Sequence, residues 1–104
     1  MNPKITKYKN GQVRFEEWTN RDGKPHRLGG PAFREWYDTG QLKMEEWCIK
    51  GEMHRLDGPA DCAWFANGQS RWYGWYINGV KYETEAEFKV AVDLYKANEI
   101  AELF

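Results

Sequence analysis

Two short segments carry side chains capable of chemistry at matching positions. They are His26-Arg27 and His54-Arg55. A paired imidazole and guanidinium can contact carboxylates or phosphates, with arginine supplying a bidentate fork. A His–Cys pair can in principle make a nucleophile, and the chain holds Cys48 and Cys62. The cysteines occupy different places relative to the histidines and form no CxxC pair, so neither a redox motif nor a repeated thiolate metal site is indicated. His26 and His54 have no carboxylate or thiol repeated beside them at ligand spacing, so no metal site is expected. Nucleophilic catalysis is likewise not expected. No phosphate-binding glycine loop or nucleophile elbow is present, and no cofactor is called for.

The two pairs stand in a longer internal repeat. His26-Arg27-Leu28-Gly29-Gly30-Pro31-Ala32 recurs as His54-Arg55-Leu56-Asp57-Gly58-Pro59-Ala60. Upstream, Gly11-Gln12 leads to Trp18, Gly40-Gln41 to Trp47 and Gly68-Gln69 to Trp75, with glycine-to-glycine steps of 29 and 28 residues. A fixed period of this length marks a repeat architecture. Recurrence also bears on His-Arg. A structural need returns in every unit, whereas a catalytic need seldom does. Hydrogen bonding of each pair to the turn around Gly-Pro-Ala is therefore the leading reading, and a repeated basic rim for partners the second.

The elements follow from turn chemistry. Asn10-Gly11 and Asn67-Gly68 suit tight hairpin turns, and Thr39-Gly40 holds the equivalent place. Aromatic stretches at 32–37 and 60–65 precede two of these turns, and 12–18, 41–47 and 69–77 follow them. Such composition suits pleated, half-buried strands. Val13 and Phe15 are expected on one face, as are Leu42 and Met44, with Trp18 and Trp47 on the opposite parity. Either a bulge intervenes or both faces carry apolar cover. Further turns follow at Arg21-Asp22-Gly23-Lys24, Lys50-Gly51-Glu52 and Asn78-Gly79-Val80, the first longer by one residue. Pro31 and Pro59 should start strands or lie on an edge.

The third unit departs from the pattern, with Tyr82 where histidine would stand. Thr84-Glu85-Ala86-Glu87 reads as a capping box opening a helix over 84–103, with Phe88, Val92 and Tyr95 on one stripe. Repeat arrays need a terminal cap, and this helix is the candidate. The fold class expected is mainly β: one domain over 1–104, with three β-hairpin repeats over 10–82 in an antiparallel sheet and one C-terminal α-helix.

This pattern resembles the MORN repeat, more closely its divergent variant found in small phage and large-virus proteins. The resemblance rests on the Asn-Gly turns, the recurring Trp and the His-Arg-x-Asp/Gly-Gly-Pro-Ala segment, and covers about 10–82. It implies β-hairpin arrays that bind or scaffold without a common chemistry. A group of such proteins consists of toxin-neutralising antitoxins.

Bulk properties narrow the partners. The formal charge is −1, which disfavours a general nucleic-acid binder. Charge is uneven, with six acids against two lysines from Glu83 onward. No signal-peptide core or membrane-length apolar run is present, and a cytoplasmic location with no membrane contact is expected. Trp18, Trp47 and Trp75 read as a packed column. Trp36, Tyr37, Trp64, Phe65, Trp72, Tyr73 and Tyr76 exceed what a thin sheet and one helix should bury, and Trp36, Trp64, Trp72 and Tyr73 with Arg34 and Arg71 have the composition of a binding hot spot. The expected function is a non-enzymatic protein-binding module. The resemblance makes it a phage accessory factor that inhibits a bacterial host protein, for host takeover or anti-defence such as anti-CRISPR. Its contact residues are those six, with His26, Arg27, His54 and Arg55 as second choice. Alternatives are an antitoxin and a small-ligand protein in which Arg27, Arg55 and the aromatics hold a nucleotide. The strand edge near Ile5 to Tyr8 carries the further expectation of a homodimer.

Overall fold

The computed structural model describes residues 3–103. Nine strands and one helix follow in chain order: β1 (Lys4–Lys7), β2 (Val13–Glu17), β3 (Phe33–Trp36), β4 (Leu42–Glu46), β5 (Cys48–Ile49), β6 (Glu52–Met53), β7 (Asp61–Trp64), β8 (Ser70–Ile77), β9 (Val80–Tyr82) and α1 (Glu85–Ala101). Seven strands form one antiparallel sheet in the order β1-β2-β3-β4-β7-β8-β9, and β5 and β6 pair as a separate ribbon. The fold is thus mainly β with a single C-terminal helix. Its extents of 53 × 33 × 16 Å describe one sheet layer, thickened at one end by α1.

Each unit contains a long hairpin and a short one. The long hairpins turn at Gly11, Gly40 and Gly68, all at positive φ. Their amides close the turns onto the carbonyls of Tyr8, Tyr37 and Phe65. The short hairpins turn at Lys50-Gly51 and Asn78-Gly79, where both residues of each pair have positive φ. That geometry twists with the flanking strands.

The long hairpins share one irregularity. Thr6 pairs with Phe15 but Lys7 with Val13, so Arg14 is an extra residue. Lys43 and Arg71 are extra in the same way in the next two hairpins. This repeated bulge overturns the expectation that Val13 and Phe15, or Leu42 and Met44, share a face. An extra residue between them reverses the alternation, so Val13 lies with Ile5 and Glu16, while Phe15 lies with Glu17 and Phe33. Both faces therefore carry apolar side chains.

The core is concentrated at the helix end. Ile77, Phe88 and Val92 are buried, with Leu56, Trp75, Tyr82, Ala91 and Tyr95 packed on them. Thr84 caps α1, its Oγ1 accepting from the Glu87 amide at 3.1 Å. Elsewhere burial comes from the joints between units. Pro31, Ala32 and Ala60 are buried there. The Ala32 amide donates to Glu46 O and the Ala60 amide to Gly74 O, so each Gly-Pro-Ala break leads straight into the next sheet strand.

Candidate binding surface

The His-Arg segments are joints of the array. His26 Nδ1 accepts from the Lys50 amide at 2.9 Å, and His54 Nδ1 from the Asn78 amide at 3.0 Å. Each histidine thus holds the short turn of the following unit, and in each case the held residue is a non-glycine at φ near 50°. An imidazole that accepts at Nδ1 carries its proton on Nε2, so that acceptor nitrogen is already used. Burial lowers the His54 pKa from 6.5, with Glu52 opposing, which favours the same neutral form.

Each arginine lies over the tryptophan of its own unit. The Arg27 guanidinium is 4.3 Å from the Trp18 ring centroid and that of Arg55 is 3.9 Å from Trp47. Both donate to a proline carbonyl, Pro31 O at 3.3 Å and Pro59 O at 3.2 Å. Arg27 also reaches Glu16 at 3.4 Å, and Arg55 reaches Asp57 at 2.8 Å, which holds the Asp57 carboxyl below its ordinary value. The guanidinium packs closely on the glycine before the proline: a Cβ on Gly30 would lie 2.9 Å from Arg27 Cζ, and one on Gly58 3.0 Å from Arg55 Cζ, so a larger residue there would shift the arginine. Arg27 and Arg55 do hydrogen-bond the Gly-Pro-Ala turn of their own unit. The histidines instead reach forward by 24 residues, which no local pattern announces.

The six favoured contact residues do not share one face. Register places Arg34, Trp36, Trp64 and Tyr73 on the face that also bears Glu16 and Glu45. Trp72 lies on the other face, opposite Ala63 and in line with Met44, and Arg71 is the bulge residue. Arg34 Nε stands 3.2 Å from Glu45 Oε2 outside hydrogen-bond geometry, half-buried within the sheet. Trp36 and Trp64 are half-buried, and their carbonyls accept from Tyr8 and Tyr37 hydroxyls of the preceding units at 2.7 and 2.9 Å.

Exposure therefore concentrates on the third unit. Trp72 is 41% and Tyr73 57% exposed, and Phe65 is 47% exposed. Arg71 bridges two of these rings, 4.8 Å from the Trp72 centroid and 5.6 Å from that of Phe65. The corresponding bulge cations Arg14 and Lys43 lie over Tyr8 and Tyr37.

A second feature of this unit escaped sequence reasoning. A groove of about 710 Å³ runs between α1 and the sheet, with Tyr73, Trp75 and Val92 in its apolar part and Asp57, Glu85 and Asp93 around it. Its signal was the break in the repeat, where Tyr82-Glu83 replaces His-Arg. Both thiols are buried, and burial pushes Cys48 and Cys62 up to about 11, so neither is a thiolate at neutral pH. Among the described residues, no group of three or more His, Cys, Asp or Glu side chains is placed to hold a metal ion. No helix among them is long and apolar enough to cross a membrane.

No family model, curated protein sequence or solved structure matches the chain.

Proposed function

We propose that the chain is a non-enzymatic protein-binding module. On this reading it is a phage accessory factor that binds and inhibits a bacterial host protein, in host takeover or anti-defence such as anti-CRISPR action. The observation that carries the binding reading is the exposed Phe65–Arg71–Trp72 cluster. Aromatic and arginine side chains dominate interface energetics, and these are already ordered by contact with one another. The chemistry-bearing groups elsewhere support it from the other side. Histidine acceptor nitrogens and arginine forks are spent on the joints, and the thiols stay protonated. The phage and host assignment rests on the repeat resemblance alone.

The test is affinity capture of the tagged chain from a bacterial lysate, beside an Arg71→Glu/Trp72→Ala variant whose melting is checked. One host protein recovered by the wild type and lost by the folded variant supports the reading. Repeated capture of nothing, with both chains folded, counts against it. An antitoxin would use the same surface, and the captured protein being a toxin would establish that alternative. Nucleotide sequestration by Arg27 and Arg55 is less favoured, because both guanidinium groups already have carboxylate, carbonyl and ring partners. Pairing of two copies through β1 is a further proposal. Ile5 is half exposed there, but Lys4 and Lys7 on the same short strand work against edge pairing.

A further inference from the structure

The three units supply an internal comparison. In units one and two the tryptophan is covered by an arginine, at 4.3 and 3.9 Å, and that arginine is held by a nearby carboxylate and a carbonyl. In unit three the position eight residues after Trp75 is Glu83, where unit two has Arg55, and no Gly-Pro segment follows. Phe88 comes in from α1, with its ring centroid 6.3 Å from that of Trp75, farther than either guanidinium from its own indole. Beside Trp75 lies the 710 Å³ groove, within the range of ligand sites. Tyr73 meets Trp75 edge-on at 5.1 Å, so the aromatic wall continues outward. The charge around it is acidic. Asp57 is engaged by Arg55 and Glu85 by Lys89 at 2.9 Å, while Asp93 has no cation within ion-pair distance among the described residues.

We propose that this groove takes an arginine side chain of a partner protein, which occupies over Trp75 the place that Arg27 and Arg55 occupy over Trp18 and Trp47. The inference rests on the protein-binding reading and names the partner's chemistry. An indole and a phenol ring attract a planar cation, and a free carboxylate at the rim suits its charge. Arginine fits better than lysine because the two occupied sites both use the planar fork, stacked on a ring and donating at its edge. A partner segment that carries arginine before a Gly-Pro turn would reproduce the whole arrangement of the first two units.

The probe is the chain's own missing piece, the blocked heptapeptide His-Arg-Leu-Asp-Gly-Pro-Ala, with a citrulline-for-arginine version as the uncharged control. Titration into the full ¹⁵N-labelled chain should move the Trp75 indole N–H and the Tyr73 and Lys89 amides in a saturable way. The citrulline peptide should bind about fivefold or more weakly. Asp93→Lys should weaken the arginine peptide by a similar factor, with unchanged melting because Asp93 is exposed on α1. Equal binding of the two peptides, shifts centred away from Trp75, or indifference to Asp93→Lys would each overturn the proposal. A captured protein partner that binds the Asp93→Lys variant as well as wild type would overturn the groove and leave the binding reading standing. Arginine-specific binding in a chain that captures no protein would support the groove and sink the protein-binding reading.

Discussion

At the scale of single residues, the array contains two local conflicts whose relief can be measured. Lys50 adopts φ of 52° in a tight turn, a conformation that costs an ordinary side chain about 1 kcal/mol and asparagine less. Asn78 stands at the equivalent place in the next unit. Lys50→Asn is therefore expected to stabilise the fold by roughly 0.5 kcal/mol, read as a raised urea midpoint. The second conflict is Glu46, directly opposite Asp61 across β4 and β7. Burial first and Asp61 second raise the Glu46 pKa above 4.5. A carboxyl whose folded pKa is raised holds its proton more tightly in the folded state, so its stability cost is absent below the unfolded value and grows as pH rises through the folded one. Glu46→Gln should then raise the melting temperature at pH 7, and the gain should vanish on acidification below pH 4.5. A gain that stays constant with pH would point to packing instead.

At the scale of elements, two contrasts separate joints from ends. Tyr37 donates to Trp64 O of the next unit at 2.9 Å, whereas Phe65 holds the same place in the last unit and has no hydroxyl. Tyr37→Phe should cost about 1 kcal/mol and Phe65→Tyr close to nothing, by chemical denaturation. The helix carries far more. Phe88 is 4% exposed between Trp75 and Tyr82, so Phe88→Ala should cost about 3–5 kcal/mol, a large share of the stability of a domain this small. Most of these elements were legible in the sequence, because Asn-Gly dipeptides, the 28-residue step and the Thr84 cap are local signals. The bulges at Arg14, Lys43 and Arg71 were not. A bulge leaves the composition of a strand unchanged while reversing which residues share a face, and that is why Trp72 was grouped with Trp36 and Trp64. The forward reach of His26 and His54 was hidden for a similar reason, since the residue that accepts their help is an ordinary backbone amide. The groove at Trp75 was visible only as a missing segment.

For the whole molecule, neighbour contacts rather than a shared interior hold the sheet together, as a thickness of 16 Å requires. Each unit is joined to the next by the same set of bonds: histidine to turn amide, tyrosine hydroxyl to carbonyl, and Arg amide to a carbonyl after the following tryptophan. An extra copy of residues 33–60 inserted after Ala60 should therefore fold as a longer array of equal or greater stability, by circular dichroism and denaturation. An unfolded product would show that the helix packing depends on more than the last unit.

The first unit's short turn is held from within. Asn20 Oδ1 accepts from the amides of Asp22 and Lys24, both at 3.0 Å, inside a turn one residue longer than its counterparts. Together with Phe65 and the helix, this turn works as punctuation. The flanking units are written in different letters from the unit between them. Length can then change by whole hairpin pairs without rewriting either end, in steps of about 10 Å for two strands. The molecule is in that sense a ruler whose graduations are interchangeable, and each added unit would set its basic edge strand farther from its aromatic groove.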